Sequence, residues 1–311
     1  MMYVAKCPLR VSLVGGSTDQ EAFIAKYGRG AVISFPSNLF AYISVHGNNR
    51  GKYIINYSRK EEVETLDEIK NDVARVCLQH FSSSGPVTVT FNADIHGTGS
   101  GLASSTAYTI ALIKALSLYC GETYTEYDIC ELAIRLERKF NPLTGYQDAY
   151  GCGIGGFKRI DFAKSGQPSF TFLSSKFISS NFKMGLYHTG TSRSSTNVLS
   201  SLDFDKSLPL LYKVDCMHEA FQATDKERFL EIFREGWEAK KKVSSLILEH
   251  QPLLLLDAAM QQNNTILGVK LCGAGGGGYF LAFGKSDLPI INGIIPIPIG
   301  ISEAGVVGAQ V

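Results

Sequence analysis

Residues 2–16 form a largely apolar run that ends on Gly15-Gly16, the pattern of a strand entering a turn. Residues 31–45 alternate apolar and polar positions, and 53–57 continue with β character. Residues 65–81 instead repeat at helical spacing, with Leu66, Ile69, Val73, Cys77 and His80 on one face. Gly85-Pro86 breaks the chain, and Val87-Thr-Val-Thr-Phe91 alternates cleanly as a strand. Residues 104–120 predict a helix closed by Gly121. Thr125 and Asp128 have capping-box spacing, and Ile129, Leu132, Ala133, Leu136 and Phe140 form one stripe of a second helix that Pro142 ends. Short strands are expected between 158 and 174, around a turn at 165–168. The polar stretch 174–181 reads as a boundary. Beyond it come a strand at 183–188, helices near 208–222, 224–248 and 253–262, and strands on both sides of 273–278. Strands and helices interleave without a regular βαβ period. The expected fold is therefore α+β in two sandwich-like domains, 1–175 and 176–311.

Composition narrows the possible partners. A chain of 311 residues with 30 basic and 29 acidic side chains carries a net charge of only +1, which disfavours nucleic acid. Seven scattered cysteines without Cys-x-x-Cys spacing read as reduced thiols, with no zinc site or disulfide framework, and point to the cytoplasm. No apolar run approaches membrane-spanning length and the first residues lack a signal-peptide core, so no membrane partner is expected.

The candidate chemistry starts at Gly97-Thr-Gly-Ser-Gly-Leu-Ala-Ser-Ser-Thr106, a glycine loop running into the 104–120 helix. Free amides at the positive end of a helix dipole cradle phosphate, and a hydroxyl there can ligate Mg²⁺. No Gly-x-x-x-x-Gly-Lys-Ser/Thr is present. Gly151–Gly156 and Gly273–Gly278 fit Gly-x-Gly-x-x-Gly, yet strand-patterned sequence follows each, which excludes a dinucleotide fingerprint. Phosphoryl transfer also needs a cation, oxygen ligands for Mg²⁺ and a group that orients or deprotonates the acceptor. Arg10, Glu137 and Asp148 are candidates. Taken singly, Arg10 also reads as an edge residue, Glu137 as a helix-end carboxylate and Asp148 as a helix N-terminal one.

Three ordered segments resemble the signature motifs of the GHMP kinases (galactokinase, homoserine, mevalonate and phosphomevalonate kinases). They are Cys7-Pro-Leu-Arg-Val-Ser-Leu-Val-Gly-Gly-Ser-Thr-Asp19, the 97–106 loop, and Leu271-Cys-Gly-Ala-Gly-Gly-Gly-Gly-Tyr-Phe280. Gly15–Asp19, Gln147-Asp-Ala-Tyr150, Thr189-Gly-Thr-Ser-Arg193 and Lys270-Leu-Cys-Gly-Ala-Gly-Gly-Gly-Gly278 look most like D-glycero-D-manno-heptose 7-phosphate kinases within that superfamily. The resemblance implies a nucleotide-binding N-terminal domain and a ferredoxin-like C-terminal sandwich. It implies ATP as donor, Mg²⁺ as metal, and transfer to a sugar hydroxyl, here the anomeric hydroxyl of the heptose 7-phosphate. It also implies a monomer or homodimer. By the same resemblance Gly97, Gly99, Ser100, Gly101, Leu102, Ala103, Ser104 and Ser105 bind ATP, and Ser104 or Ser105 with Glu137 holds the metal. Asp148 is the catalytic aspartate, oriented by Arg10, and Asp19 contacts a sugar hydroxyl. Thr18, Gly275 and Gly276 fall beside the substrate, with the 273–278 loop closing on the phosphate loop. Arg193 is the leading anchor for a substrate phosphate, ahead of Arg29, Lys158 and Arg159. The chain departs from the family in a longer Ile95–Thr98 approach, in Ala103 for a frequent glycine, and in Tyr146 where heptose kinases often have lysine. The alternatives on the same fold are a kinase of an unphosphorylated sugar such as galactose or fucose, a silent sugar or nucleotide sensor, and decarboxylation after phosphorylation.

Overall fold

The computed structural model describes residues 1–311 apart from 83–84, 96–98 and 192–194, and apart from the side chains of 195 and 196. Strand β1 (Met2–Val14), helix α1 (Glu21–Tyr27) and the long strand β2 (Arg29–Gly47) open the chain. They are followed by β3 (Tyr53–Asn56), β4 (Lys60–Val63), α2 (Asp72–His80) and β5 (Val87–Ala93). Helices α3 (Ser104–Cys120), α4 (Glu126–Glu137) and α5 (Gln147–Gly153) come next, then β6 (Lys158–Ala163), β7 (Ser169–Phe172), α6 (Ser175–Asn181) and β8 (Lys183–His188). Helices α7 (Ser195–Ser200), α8 (Phe204–Gln222), α9 (Lys226–Lys241) and α10 (Gln251–Gln262) precede β9 (Ile266–Leu271), β10 (Tyr279–Gly284), β11 (Ile297–Pro298) and β12 (Val307–Gln310).

Eight strands form the first sheet, in the order β12-β1-β2-β5-β3-β4, with β6 paired to β2 and β7 to β6. Pro8 has no N–H to give the ladder, and the register against β2 slips there, from Pro8↔Phe40 to Arg10↔Pro36. Leu9, Val11 and Leu13 remain buried in the core. The second sheet runs β11-β8-β10-β9 and is antiparallel throughout. This is the ferredoxin-like strand order, with helices α7–α10 in the first crossover and a helix-free connection over 285–296 in place of the second. The fold is mixed α+β, as expected.

The split at 175/176 does not hold for the C-terminal end. Strand β12 returns to the first sheet and pairs with β1, from Tyr3↔Gln310 to Lys6↔Val307. The main hydrophobic core also crosses the boundary: Phe157 meets Phe221 of α8 edge-on at 5.1 Å, within a cluster that includes Phe177, Phe229 and Phe283. A smaller core around Trp237, Leu253 and Phe280 lies wholly in the second half.

Several expected elements change extent. The polar stretch 174–181 is largely helix α6, docked by buried Phe177 and Ile178. The expected helix over 65–81 is divided. A 3-10 turn spans Leu66–Glu68, and α2 starts only after Asn71, because the Glu61 carboxylate takes the N–H groups of Lys70 (2.6 Å) and Asn71 (3.0 Å). The expected helix over 224–248 ends at Lys241, and Ser244 caps a separate 3-10 turn, Ser245–Leu248.

Candidate active site

Helix α3 starts where the glycine loop predicts. Ala103 precedes it in a left-handed conformation (φ 61°) and has no side-chain acceptor, so no side chain caps the helix. The first helical bond runs from the Ala107 N–H to the Ala103 carbonyl at 2.9 Å, which leaves the amides of Ser104, Ser105 and Thr106 without an intrahelical acceptor at the positive dipole end. Ser100 shapes the loop: its hydroxyl accepts from the Leu102 N–H at 3.1 Å and lies 2.7 Å from that of Ser104. Gly97 lies outside the described residues, as does Arg193.

The second glycine loop, 273–278, is pressed backbone to backbone against the first. A Cβ on Gly101 (φ 74°) would fall 2.5 Å from the Cys272 carbonyl oxygen, and one on Gly278 would fall 2.3 Å from that of Ser100. Gly275 and Gly276, expected beside the substrate, are packed against the Ser245–Leu248 turn. The Gly276 N–H donates to the Ile247 carbonyl at 2.8 Å, and a Cβ on Gly275 would stand 2.9 Å from Ile247 Cα. Both are needed for packing on the Ser245–Leu248 turn.

Arg10 joins the phosphate loop to Asp148. Its Nε and Nη2 donate to Asp148 Oδ1 at 2.9 and 2.6 Å, and its Nη1 donates to the Gly101 carbonyl at 2.8 Å. The Arg10 main-chain N–H also donates to the Leu102 carbonyl at 3.1 Å. Burial works against the guanidinium charge, but the Asp148 carboxylate outweighs it and holds Arg10 above its ordinary pKa. Asp148 lies in the first turn of α5 with its side chain 31 % exposed, and among the described residues nothing donates to its Oδ2. One carboxylate oxygen is fixed and the other faces outward.

Glu137 is the last residue of α4 and is 3 % exposed. Ser105 Oγ donates to its Oε1 at 3.1 Å and Thr106 Oγ1 to its Oε2 at 2.8 Å. Burial pushes the carboxyl up to about 7; the two hydroxyls favour its charge and the Asp148 charge opposes it. Ser104, by contrast, turns to Ser100. A carboxylate and a hydroxyl beside a phosphate cradle are oxygen donors of the kind Mg²⁺ accepts when substrate phosphates complete its shell. No group of three or more His, Cys, Asp or Glu suited to a metal occurs among the described residues, so phosphate would have to supply much of that shell.

Thr18 and Asp19, expected beside the substrate, are both engaged within the protein. Thr18 is fully buried, its hydroxyl 2.8 and 2.7 Å from the carbonyls of Gly15 and Ala31. Asp19, 1 % exposed, accepts from the Gln147 N–H at 3.0 Å and from Gln147 Nε2 at 3.2 Å, which ties the β1 turn to the start of α5. Burial raises its pKa against the Gln147 N–H, with the Asp148 charge adding to the rise. The secondary phosphate candidates are also engaged: Arg29 and Arg159 both reach Asp215, at 2.7 and 2.8 Å, and Lys158 is spent on the carbonyls of Ile154 and Gly156. Two residues to which no site role was expected stand near the pair instead, Lys240 of α9 and Lys270 of β9, both buried.

An uncapped helix start under two interlocked glycine loops, with a buried arginine aiming a carboxylate at its mouth, defines a phosphoryl-transfer enzyme. Residues 68–156 match the family model described as GHMP kinases N terminal domain. Over that segment the chain carries a GHMP kinase N-terminal domain, and it is an ATP-dependent kinase. It is similar to a D-glycero-alpha-D-manno-heptose 7-phosphate kinase of Campylobacter jejuni, 26 % identical over 89 % of this chain and 87 % of that protein. It is also similar to an L-fucokinase/L-fucose-1-P guanylyltransferase of Bacteroides fragilis, 28 % identical over 60 % of this chain but only 21 % of that longer protein. Among solved structures, a D-glycero-D-manno-heptose 1-phosphate kinase from Bacteroides thetaiotaomicron superposes with a TM-score of 0.78 at 20 % identity, covering 99 % of both chains. Lactococcus lactis galactokinase with galactose bound also reaches 0.78, at 13 % identity over 100 % of this chain and 95 % of that one.

Proposed function

We propose that this protein transfers the γ-phosphoryl group of ATP to a hydroxyl of a phosphorylated sugar, most specifically the anomeric hydroxyl of D-glycero-D-manno-heptose 7-phosphate. The carrying observation is the Arg10–Asp148 pair, anchored to the phosphate loop through the Gly101 carbonyl, with one carboxylate oxygen held and the other facing out. In that arrangement Asp148 Oδ2 takes up the proton of the acceptor hydroxyl as it attacks, and Arg10 keeps the carboxylate aimed. The α3 amides and the loop backbone hold the donor phosphates. Glu137 and Ser105 are the residues that would hold Mg²⁺, which when bound neutralises charge on the β- and γ-phosphates. The heptose relatives and the heptose-kinase-like motifs support this substrate, and the similarity to a fucokinase keeps unphosphorylated sugars in the test. Arg10, Glu137 and Asp148 together favour an enzyme over a silent sensor, which has no use for a base. In this reading the protein works on a small-molecule acceptor in the cytoplasm, and no described helix is long and apolar enough to cross a membrane.

The test is ADP release with ATP and a panel of heptose 7-phosphate, unphosphorylated heptose, galactose and fucose. Asp148→Asn should retain ATP binding and lose about 10²–10⁴ in kcat. Preference for an unphosphorylated sugar refutes the substrate; an Asn variant as fast as the parent refutes the base.

A further inference from the structure

Two ammonium groups are buried beside the Arg10–Asp148 pair without a carboxylate partner. Lys240 is 4 % exposed and Lys270 5 %. Lys240 Nζ donates to Ser17 Oγ at 2.5 Å, and Lys270 Nζ to the Ser12 carbonyl at 2.6 Å, with Ser12 Oγ at 3.4 Å. All of these partners are neutral, and among the described residues neither lysine forms an ion pair. Asp148 offers no relief, because its charge is matched by Arg10. Burial pulls Lys240 down to about 8 and Lys270 to about 7, with Lys240 and Arg10 also depressing Lys270. A buried charge is costly unless an opposite charge compensates it; the Asp19 carboxylate offsets part of the cost at Lys240, and neither lysine has a carboxylate in contact.

Both lysines line one small cavity of about 10 Å³ with Ser12, Gly15, Gly16, Gln147 and Gly273, so an anion enters only as the lysines leave Ser17 and Ser12. Two further features mark it as a ligand site. Gln147 Nε2 is used by Asp19, while its Oε1 is buried with no partner. Ser17, which meets Lys240, holds a positive φ of 86°, a strained backbone for a residue other than glycine. Ser12 stands two residues along β1 from Arg10, about 6.6 Å in a strand. The Lys270 ammonium on Ser12 therefore lies close to the arginine that holds Asp148, near enough for Arg10 to depress its pKa.

We propose that Lys240 and Lys270 form the anion subsite of the acceptor pocket, binding the phosphate monoester that the sugar already carries, while Gln147 Oε1 accepts a hydrogen bond from a neighbouring sugar hydroxyl. The assignment rests on the sugar-phosphate reading above and replaces Arg193 as its phosphate anchor. A terminal phosphate could also come from the transferring end of ATP, and the two sources separate kinetically.

The test uses Lys240→Met and Lys270→Met, which remove charge at nearly constant volume, so folding is retained. Each should raise the KM for heptose 7-phosphate by about tenfold or more and shrink its preference over unphosphorylated heptose by a similar factor. The KM for ATP should move by less than about twofold. A raised ATP KM with intact sugar discrimination assigns the lysines to the nucleotide and overturns the proposal, as does full discrimination in both variants. Inorganic phosphate gives a readout independent of turnover. It should raise the melting temperature of the parent protein and not that of either variant. If the parent phosphorylates no sugar phosphate, the substrate reading fails, but loss of the phosphate shift in the variants still supports the subsite. No shift in the parent overturns the subsite whatever the substrate is.

Discussion

Glu137→Gln separates what burial does to this carboxylate from what the bound metal requires of it. The folded carboxyl titrates near 7 against an ordinary 4.5. At about 1.4 kcal/mol per pH unit, an ionised Glu137 costs the metal-free protein about 3 kcal/mol relative to its protonated form. Because the folded pKa lies above the unfolded one, the folded state holds the proton more tightly across pH 4.5–7. Stability from this group is complete below the unfolded pKa and is lost as pH rises through the folded one. Gln is neutral at every pH and can still accept from Ser105 or Thr106. Urea unfolding of the metal-free parent should therefore lose stability between pH 5 and 8 relative to Glu137→Gln, by up to about 3 kcal/mol. Other shifted groups, including Asp19, are common to both proteins and cancel in the difference. Adding Mg²⁺ with a non-hydrolysable ATP analogue should reverse the order at pH 8, since a metal ligand must be ionised. Parallel pH profiles for the two proteins refute the burial argument. Equal stabilisation of both by the metal–nucleotide complex refutes the metal role.

Two further perturbations test the frame around this site. Arg10→Ala and Asp148→Asn should be strongly non-additive in kcat, because the arginine acts through the carboxylate it aims; additive losses in the double variant would show that they work separately. Gly101→Ala places a Cβ 2.5 Å from the Cys272 carbonyl at a φ of 74°, so it should lower the melting temperature and raise the KM for ATP by about tenfold or more. Unchanged values for both would mean that the two glycine loops are not locked together.

Elements with strong periodicity were legible from sequence. The β1 run, the 104–120 helix and the Thr125 capping box appear as read, the last with Thr125 and Asp128 bonding each other's main-chain N–H. Elements held by tertiary contacts were not. Helix α1 buries only Phe23 and Ile24, too few to form a stripe, and Gly28 just past its end was its one local signal. Strand β4, Lys60-Glu-Glu-Val63, is an edge strand whose polar side chains carry no hydrophobic pattern. The division of 65–81 depends on Glu61, whose carboxylate captures amides from another element. The return of β12 to β1 joins residues some 300 positions apart, which no local pattern encodes.

The same distinction separates motif from role within the site. A motif fixes residue type and backbone path, and these brought Arg10 to Asp148 and Ser105 to Glu137. It does not say whether a polar side chain is spent on the protein itself. Asp19 shows the difference. Tyr146 supplies no side-chain cap to α5, so the Asp19 carboxylate, arriving from the β1 turn, accepts the Gln147 N–H and acts as the cap from a distance. Asp148 is the next residue, so the depth and angle at which it meets Arg10 depend on that bond. Gly145 confirms the tight fit, since a Cβ there would stand 2.2 Å from Asp19 Oδ2. Lys240 and Lys270 are the reverse case. In sequence Lys240 reads as one of two lysines in the last turn of a helix, a favourable place for solvated cations. Only the packing of α9 and β9 against the β1 turn turns it and Lys270 inward, where their charges become chemically useful.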